Sequence, residues 1–155
     1  MISFNLTGNV LKLRKVYAHC DIPCGIYDPV TAKIAAQTVQ KMVLRMESMQ
    51  DGVSDASSLA TLSRYTAVKE QHADLVKHEE DVLWHDYFKP EHLEKYPDLH
   101  TTVWETTKAA SANKQNVDMD SAKQLVELVD KIATIFWATK GVDYKDTVSE
   151  VRFGT

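Results

Sequence analysis

Residues 121–141, SAKQLVELVDKIATIFWATKG, carry the clearest helical pattern in the chain. Apolar side chains recur there at spacings of three and four, which places them on one face of an α-helix. Asp118 or Asp120 precedes the pattern as an N-cap, and Gly141 is expected just beyond its C-terminus. The residues predicted to face inward are Ala122, Leu125, Val129, Ile132, Ala133 and Phe136.

Two long helices are predicted in the first half of the chain. The first follows Asp28-Pro29, where the aspartate is an N-cap and the proline takes the first helical position, and it ends at Gly52. The second begins near Asp55 or Ser57 and is stopped by Pro90. The inward residues predicted for the first helix are Ala35, Val39, Met42, Met46 and Met49, and those for the second are Tyr65, Val68, His72, Leu75, Glu79 and Val82.

A further helix is predicted after Asp98, between a connector over 89–97 (KPEHLEKYP) and a polar loop over 111–118. Four helices of such length joined by short loops predict an all-α fold, an antiparallel up-down four-helix bundle. The residues of this helix predicted to face inward are Leu99, Val103 and Ala110.

The composition narrows the class of protein. The chain has 155 residues, 44% of them apolar and 26% charged, which fits one domain and excludes disordered and collagen-like classes. The net charge of -4 argues against a nucleic-acid partner, and no apolar run is long enough to cross a membrane. No export signal is seen, so a cytoplasmic location is expected.

The first eighteen residues differ from the rest of the chain. They hold three basic side chains and no acid, and without them 137 residues with a net charge of -7 remain. The basic residues follow the apolar part instead of preceding it, which does not fit a secretory signal. The segment is either an ordinary N-terminal tail or a pro-segment removed before the protein is used.

The only recognisable chemistry follows directly, in residues 19–27, HCDIPCGIY. The sequence holds no Glu-x-x-His pair, His-Glu-x-x-His motif, phosphate-binding loop or nucleophile elbow. Two thiols, which are soft ligands as thiolates, and an imidazole offer three side-chain ligands, one fewer than a structural zinc site needs. A local disulfide between Cys20 and Cys24 is the other possibility at this spacing.

Cleavage after Ala18 would change this ligand set. His19 would then become the first residue, and its α-amine could bind a metal. The amine, the backbone nitrogen of Cys20 and the thiolates of Cys20 and Cys24 form a planar set of two nitrogens and two sulfurs, which suits nickel(II) or copper(II). The His19 imidazole could then approach along the axis.

The run HCDIPCGIYDP resembles the nickel hook of nickel-containing superoxide dismutases. The resemblance continues through VLWHDYFKPEHLEKYPDLH (82–100) and IFWATK (135–140). It implies a pro-segment over 1–18, a hook over 19–27 and a helical bundle over 28–155. It also implies a maturation protease that cuts between Ala18 and His19, one nickel ion per subunit, a homohexamer, and superoxide as the substrate.

The same resemblance assigns roles to single residues. His19, Cys20 and Cys24 would be the metal ligands, and Tyr27 would guard the open face of the metal. Tyr87 would be a second tyrosine nearby. The backbone amides of Asp21 and Cys24 would face the pocket for the anion, and the Ile22-Pro23 bond matches one that is cis in the family.

The sequence departs from the family at the support of the hook histidine. A glutamate on the first helix and an arginine on the second correspond here to Ala35 and His72. One hypothesis is that His72 takes over the orienting of His19, and the alternative is an ordinary core histidine. Lys89 is a candidate for steering the anion or a plain surface lysine.

A second class of function stays open at this point. A helical metal-binding or thiol-redox protein without turnover would use Cys20 and Cys24 and keep residues 1–18 attached. Only a free N-terminus at His19 distinguishes the enzyme from it.

Overall fold

The computed structural model describes residues 25–49 and 52–154. These ranges hold helices and connections, and a π-helical turn over Leu83–Tyr87 prolongs the second helix. None of the described helices is both long and apolar enough to cross a membrane. The helices are α1 (Val30–Glu47), α2 (Ala56–Val82), α3 (Pro90–Lys95), α4 (Leu99–Gln115), α5 (Met119–Thr139) and α6 (Ser149–Phe153).

Four of these helices form the predicted bundle. α1 packs on α2 and α5, and α4 packs on the same two helices, so the four close a ring around one core. Short connections reverse the chain between neighbours. The core has two clusters, one centred on the alanines of α1 with Val76 and Leu125, and the other on Leu83, Leu99 and Phe136.

Most helix starts lie within one residue of the predicted position, but α1 has Pro29 as its N-cap instead of Asp28, and it ends at Glu47 instead of reaching Gly52. Gly141 has a φ of +76°, the conformation expected of a residue just past a helix. Aspartate side chains accept hydrogen bonds from the first turns of three helices. The bonds are from the N–H of Val30 to Asp28 (2.8 Å), from that of Ser58 to Asp55 (2.7 Å) and from that of Ser121 to Asp118 (2.6 Å).

The predicted inward face is correct for α5 and wrong for α2. All six residues predicted for α5 are buried. In α2 the predicted residues are half-buried, and the buried row lies one position later. Each of the two rows contains charged side chains, Glu79 in the predicted row and Lys69 and Glu80 in the buried one, so hydropathy along the helix does not distinguish them. The buried row consists of Lys69, Ala73, Val76, Glu80 and Leu83.

Smaller corrections apply to α1 and to the connections. Met42 and Met49 are half-buried, and Val43 is buried in their place. The connector 89–97 contains α3, and the loop predicted over 111–118 is wrong because α4 continues to Gln115. Asn113 extends that helix, since its buried amide donates to the carbonyls of Ala109 (2.9 Å) and Ser121 (3.0 Å).

Lys69 joins α2 to the end of α4. Its side chain is only 1% exposed, and its ammonium donates to the backbone carbonyls of Asn113, Lys114 (3.1 Å) and Asn116 (2.9 Å). The last carbonyls of a helix have no partner within the helix and carry its negative end. Burial lowers the pKa of Lys69, and these carbonyls replace the water that it has lost.

The segment after Gly141, which the sequence leaves unassigned, folds back onto α1. Lys33, nearly buried, pairs with Asp130 and with Asp146 (3.1 Å). Arg152 pairs with the same Asp146 at 2.9 Å. These ion pairs hold α6 against the bundle.

Replacing Lys69 by methionine should destabilise the protein by about 2 kcal/mol, because three carbonyls lose their donor while the packing volume is kept. Urea unfolding followed by circular dichroism measures the change. Lys123→Met is the matched control, since that lysine is exposed and lies 3.9 Å from its nearest carboxylate. Equal stabilities of the two variants would contradict the assigned role of Lys69.

Candidate metal centre

The predicted metal ligands lie outside the described residues. These are His19, Cys20 and Cys24, and Asp21 and the Ile22-Pro23 bond lie there too. Within 25–49 and 52–154, no three or more His, Cys, Asp or Glu side chains are grouped so that they could hold a metal ion. Of the predicted site residues, the described part contains Tyr27 and Tyr87.

Tyr27 and Tyr87 lie in contact, although sixty positions separate them in the chain. Their ring centroids are 5.5 Å apart and the rings are tilted by 54°. Tyr27 belongs to the segment that leads into α1, and Tyr87 ends the π-helical turn after α2. Both rings pack against the second core cluster. The fold thus brings the two predicted tyrosines together at one end of the bundle.

The π-helical turn sets the position of Tyr87. A π-turn is wider than an α-turn and changes the direction in which the side chains point. It is closed by the N–H of Phe88, which donates to the Leu83 carbonyl at 2.9 Å. The Tyr87 ring then packs on Phe136 (4.5 Å between centroids) and stacks on His92 (5.6 Å).

The Tyr87 hydroxyl is held by Thr139, at 2.5 Å from its Oγ1. Thr139 donates its single hydroxyl proton to the Phe136 carbonyl at 2.6 Å. Tyr87 must therefore be the donor in its bond to Thr139. This bond ties the end of α2 to the end of α5.

Two lysines lie near Tyr87, one in sequence and one in space. Lys89 is exposed two residues further along the chain, as the sequence suggests. Lys140, which the sequence analysis does not single out, places its ammonium 5.1 Å from the centre of the Tyr87 ring. The only sequence signal for Lys140 is its place at the end of the run IFWATK.

An open cleft of about 370 Å³ lies beside Tyr27. It separates the segment leading into α1 from the last turns of α2. Cys24 is three residues before Tyr27, and three residues span at most about 10 Å. The cleft is therefore within reach of the hook. Its lining consists of Ile26, Tyr27, Asp28, Thr31, Glu79, Val82 and Leu83.

At the two positions that depart from the family, Ala35 and His72, the described residues form no ion pair. Ala35 is buried in the first core cluster and offers no polar group. His72 is half-buried, and its Nδ1 donates to the Val68 carbonyl at 2.8 Å. Only Nε2 of His72 is left to contact a further group.

The acid missed by sequence reasoning is Glu80. It is fully buried, and neither carboxylate oxygen has a hydrogen-bond partner among the described residues. Burial raises the pKa of Glu80 to about 8, and the neighbouring charges of Glu79 and Asp81 add to the rise. The apolar pattern of the sequence instead predicts that Glu79, the residue directly before Glu80, faces inward.

Comparison with known proteins identifies the relatives of this chain. The family model described as nickel-containing superoxide dismutase matches residues 14–140. The superoxide dismutase [Ni] of Streptomyces seoulensis is 46% identical over 126 residues, which are 81% of this chain and 91% of that protein. The one from Streptomyces coelicolor is 44% identical over 125 residues, covering 81% and 90%.

A crystal structure of Ni-containing superoxide dismutase, with Ni-ligation corresponding to the oxidised state, has the same fold. Its TM-score is 0.71 at 44% identity, over 80% of this chain and 100% of that chain. A native structure of nickel superoxide dismutase matches with a TM-score of 0.67 at 45% identity, over 79% and 99%.

The bond between Tyr87 and Thr139 should appear as a coupling energy. We expect Tyr87→Phe and Thr139→Val each to lower the free energy of unfolding by about 1 kcal/mol. The double variant should lose less than the sum by roughly 0.5–1.5 kcal/mol, because both single changes break the same bond. Urea unfolding of the four proteins measures this, and strict additivity would contradict the bond.

Proposed function

Since this chain belongs to the nickel-containing superoxide dismutase family, we propose that His19, Cys20 and Cys24 hold its nickel ion after cleavage between Ala18 and His19. The activity is the conversion of superoxide to dioxygen and hydrogen peroxide, with nickel as the cofactor. The match over residues 14–140, which spans both the hook motif and the bundle, carries this conclusion.

The donor set fits nickel. After cleavage the α-amine of His19, the backbone nitrogen of Cys20 and two thiolates would offer two nitrogen and two sulfur donors, a set that suits nickel(II). The amine exists only after cleavage, because in the uncut chain the nitrogen of His19 is a peptide amide. Nickel, when bound, supplies the one-electron oxidation and reduction that the reaction needs.

Residues of the chain have to bind the superoxide anion and order the water that supplies the protons of the reaction. One superoxide gives up an electron and leaves as dioxygen, and a second takes up that electron and two protons to leave as hydrogen peroxide. We assign to Tyr27 and Tyr87 the ordering of water and the exclusion of larger molecules, and to the amides of Asp21 and Cys24 the binding of the anion. The contact of the two rings at 5.5 Å supports a shared role.

Positive side chains near the site have to offset the repulsion between the negatively charged protein and the superoxide anion. The mature chain would carry a net charge of -7, which opposes the approach of an anion. The Lys140 ammonium lies 5.1 Å from the centre of the Tyr87 ring, and Lys89 is exposed two residues after Tyr87. We assign both lysines to the steering of superoxide.

Assembly, processing and location complete the proposal. The family resemblance supports a homohexamer, a pro-segment over 1–18 removed by a maturation protease, a hook over 19–27 and a bundle domain over 28–155. A cytoplasmic location stays a prediction from the sequence. A non-catalytic thiol protein is not favoured, because the family match includes the hook and the bundle together.

Cleavage should be required for both nickel binding and turnover. We expect a chain that starts at His19 to bind one nickel ion and to dismutate superoxide, and the uncut chain to do neither. Cys20→Ser and Cys24→Ser in the cleaved chain should abolish both properties, since each removes a thiolate. Intact mass, metal analysis and pulse radiolysis measure these outcomes, and an uncut chain with full nickel and turnover would refute the proposal.

Removing the two lysines should slow the enzyme in a salt-dependent way. We expect Lys89→Gln and Lys140→Gln each to lower kcat/KM about two- to five-fold at low ionic strength, with the difference vanishing at high salt. Lys131→Gln is the matched control, because it is exposed on α5 about 13 Å before Lys140. The same loss in the control would point to total charge and not to steering.

A further inference from the structure

The segment after Lys140 crosses from the end of α5 to the outer side of α1. The family match ends at Lys140, so this segment lies outside the part of the chain that the family model describes. We call residues 141–154 the C-terminal strap. It begins with the turn after α5 and ends with α6, which is bonded to α1 through Gln37 and Lys41.

The turn at the start of the strap carries Lys140. The N–H groups of Lys140 and Val142 both donate to the Trp137 carbonyl, at 3.0 Å each. Gly141 between them has a φ of +76°, which lets the chain reverse its direction. The Lys140 side chain leaves the backbone from this turn, and its ammonium lies 5.1 Å from the centre of the Tyr87 ring. The placement of this charge therefore depends on the turn.

Asp146 fastens the strap to the bundle. Its carboxylate is only 9% exposed and pairs with the ammonium of Lys33 on α1 at 3.1 Å and with the guanidinium of Arg152 on α6 at 2.9 Å. Lys33 is itself 2% exposed and also pairs with Asp130 of α5. Removing one member of a buried ion pair leaves the other charge without compensation. Asp146 is therefore the residue whose loss should open the strap.

An aromatic stack connects Asp146 to the turn that carries Lys140. The ring of Tyr144 stacks on Trp137, with 6.0 Å between the centroids and 20° between the planes. The Lys33 ammonium lies 5.3 Å from the centre of the Tyr144 ring, so the lysine that pairs with Asp146 also contacts the stack. Trp137 accepts the bonds that close the turn. The ion pairs of Asp146 therefore hold the start of the strap against Trp137.

We propose that the C-terminal strap holds Lys140 beside the Tyr87 ring, and that Asp146 is a positioning residue for this lysine. The inference rests on the proposed function, in which Lys140 steers superoxide. A lysine ammonium sits on a flexible four-carbon stem, and a fixed turn restricts the positions that it can reach. A positive charge attracts an anion more strongly when it stays close to the site. The strap thus supports the steering without contacting the anion.

Hydrogen exchange in the uncut chain without metal tests the ion pairs of the strap. We expect Asp146→Asn to speed the exchange of the bonded amides of Val142 and Gly154 about 10- to 100-fold, because local opening is easier once charge-assisted bonds are lost. Asp146→Glu keeps the carboxylate and should have a smaller effect. Exchange followed by NMR at single amides measures this, and unchanged rates in Asp146→Asn would overturn the proposal.

Asp143→Asn is the matched control for both experiments. It removes the same charge from the same segment, but Asp143 is exposed and forms no ion pair with any described residue. Its exchange rates should match those of the parent chain. Equal acceleration in Asp143→Asn and Asp146→Asn would show an effect of total charge and overturn the role of Asp146.

Kinetics of the cleaved nickel enzyme test whether Asp146 acts through Lys140. At low ionic strength we expect Asp146→Asn to have a kcat/KM about two-fold below that of Asp143→Asn, since both variants have the same net charge. In the Lys140→Gln background the same change should cause no further loss, because the positioned charge is already absent. Equal losses in the two backgrounds would mean that Asp146 has only a structural role, and would overturn the proposal.

The two measurements separate this inference from the function on which it rests. A parent chain that starts at His19 and neither binds nickel nor turns over superoxide would overturn the proposed function, and the steering role with it. An active parent enzyme, with faster exchange but unchanged kcat/KM in Asp146→Asn, would overturn the role of the strap alone. Faster exchange at both ends of the strap, with a loss of kcat/KM that disappears in Lys140→Gln, would establish the role.

Discussion

The packing of Tyr87 between Phe136 and Thr139 is the interaction on which the site end of the bundle depends. It joins the last turn of α2 to the last turn of α5, and Tyr27 rests on the ring so held. The point where the chain leads into α1 is fixed by that contact. The proposed hook, residues 19–27, ends at this packed surface with Tyr27.

Two ionisable side chains of α2, those of Lys69 and Glu80, are buried in the bundle, and they differ in whether they have hydrogen-bond partners. Lys69 satisfies the carbonyls at the end of α4 and so stabilises the fold. Glu80 satisfies nothing among the described residues. A buried polar group with partners stabilises a structure, whereas one without partners lowers stability unless another group reaches it.

The proposed cleavage and the proposed metal site depend on each other. The described ranges group no three His, Cys, Asp or Glu side chains that could hold a metal. In the proposal the amine of His19 becomes a ligand only after cleavage, so the uncut chain would lack a complete set of metal donors. The segment after Gly141, beyond the family match, adds ion pairs from Asp146 to Lys33 of α1 and to Arg152 of α6.

The sequence by itself determined the helical period of α5, the aspartate caps and the hook motif, because each depends on residues close together in the chain. It predicted the bundle and the family correctly, and it named Tyr27 and Tyr87. Only the tertiary structure decided that these rings touch, that Lys140 lies beside them, and that Glu80 and not Glu79 faces the core. The physical reason is that a charged residue is turned inward by contacts from other helices, and hydropathy along one helix cannot record those contacts.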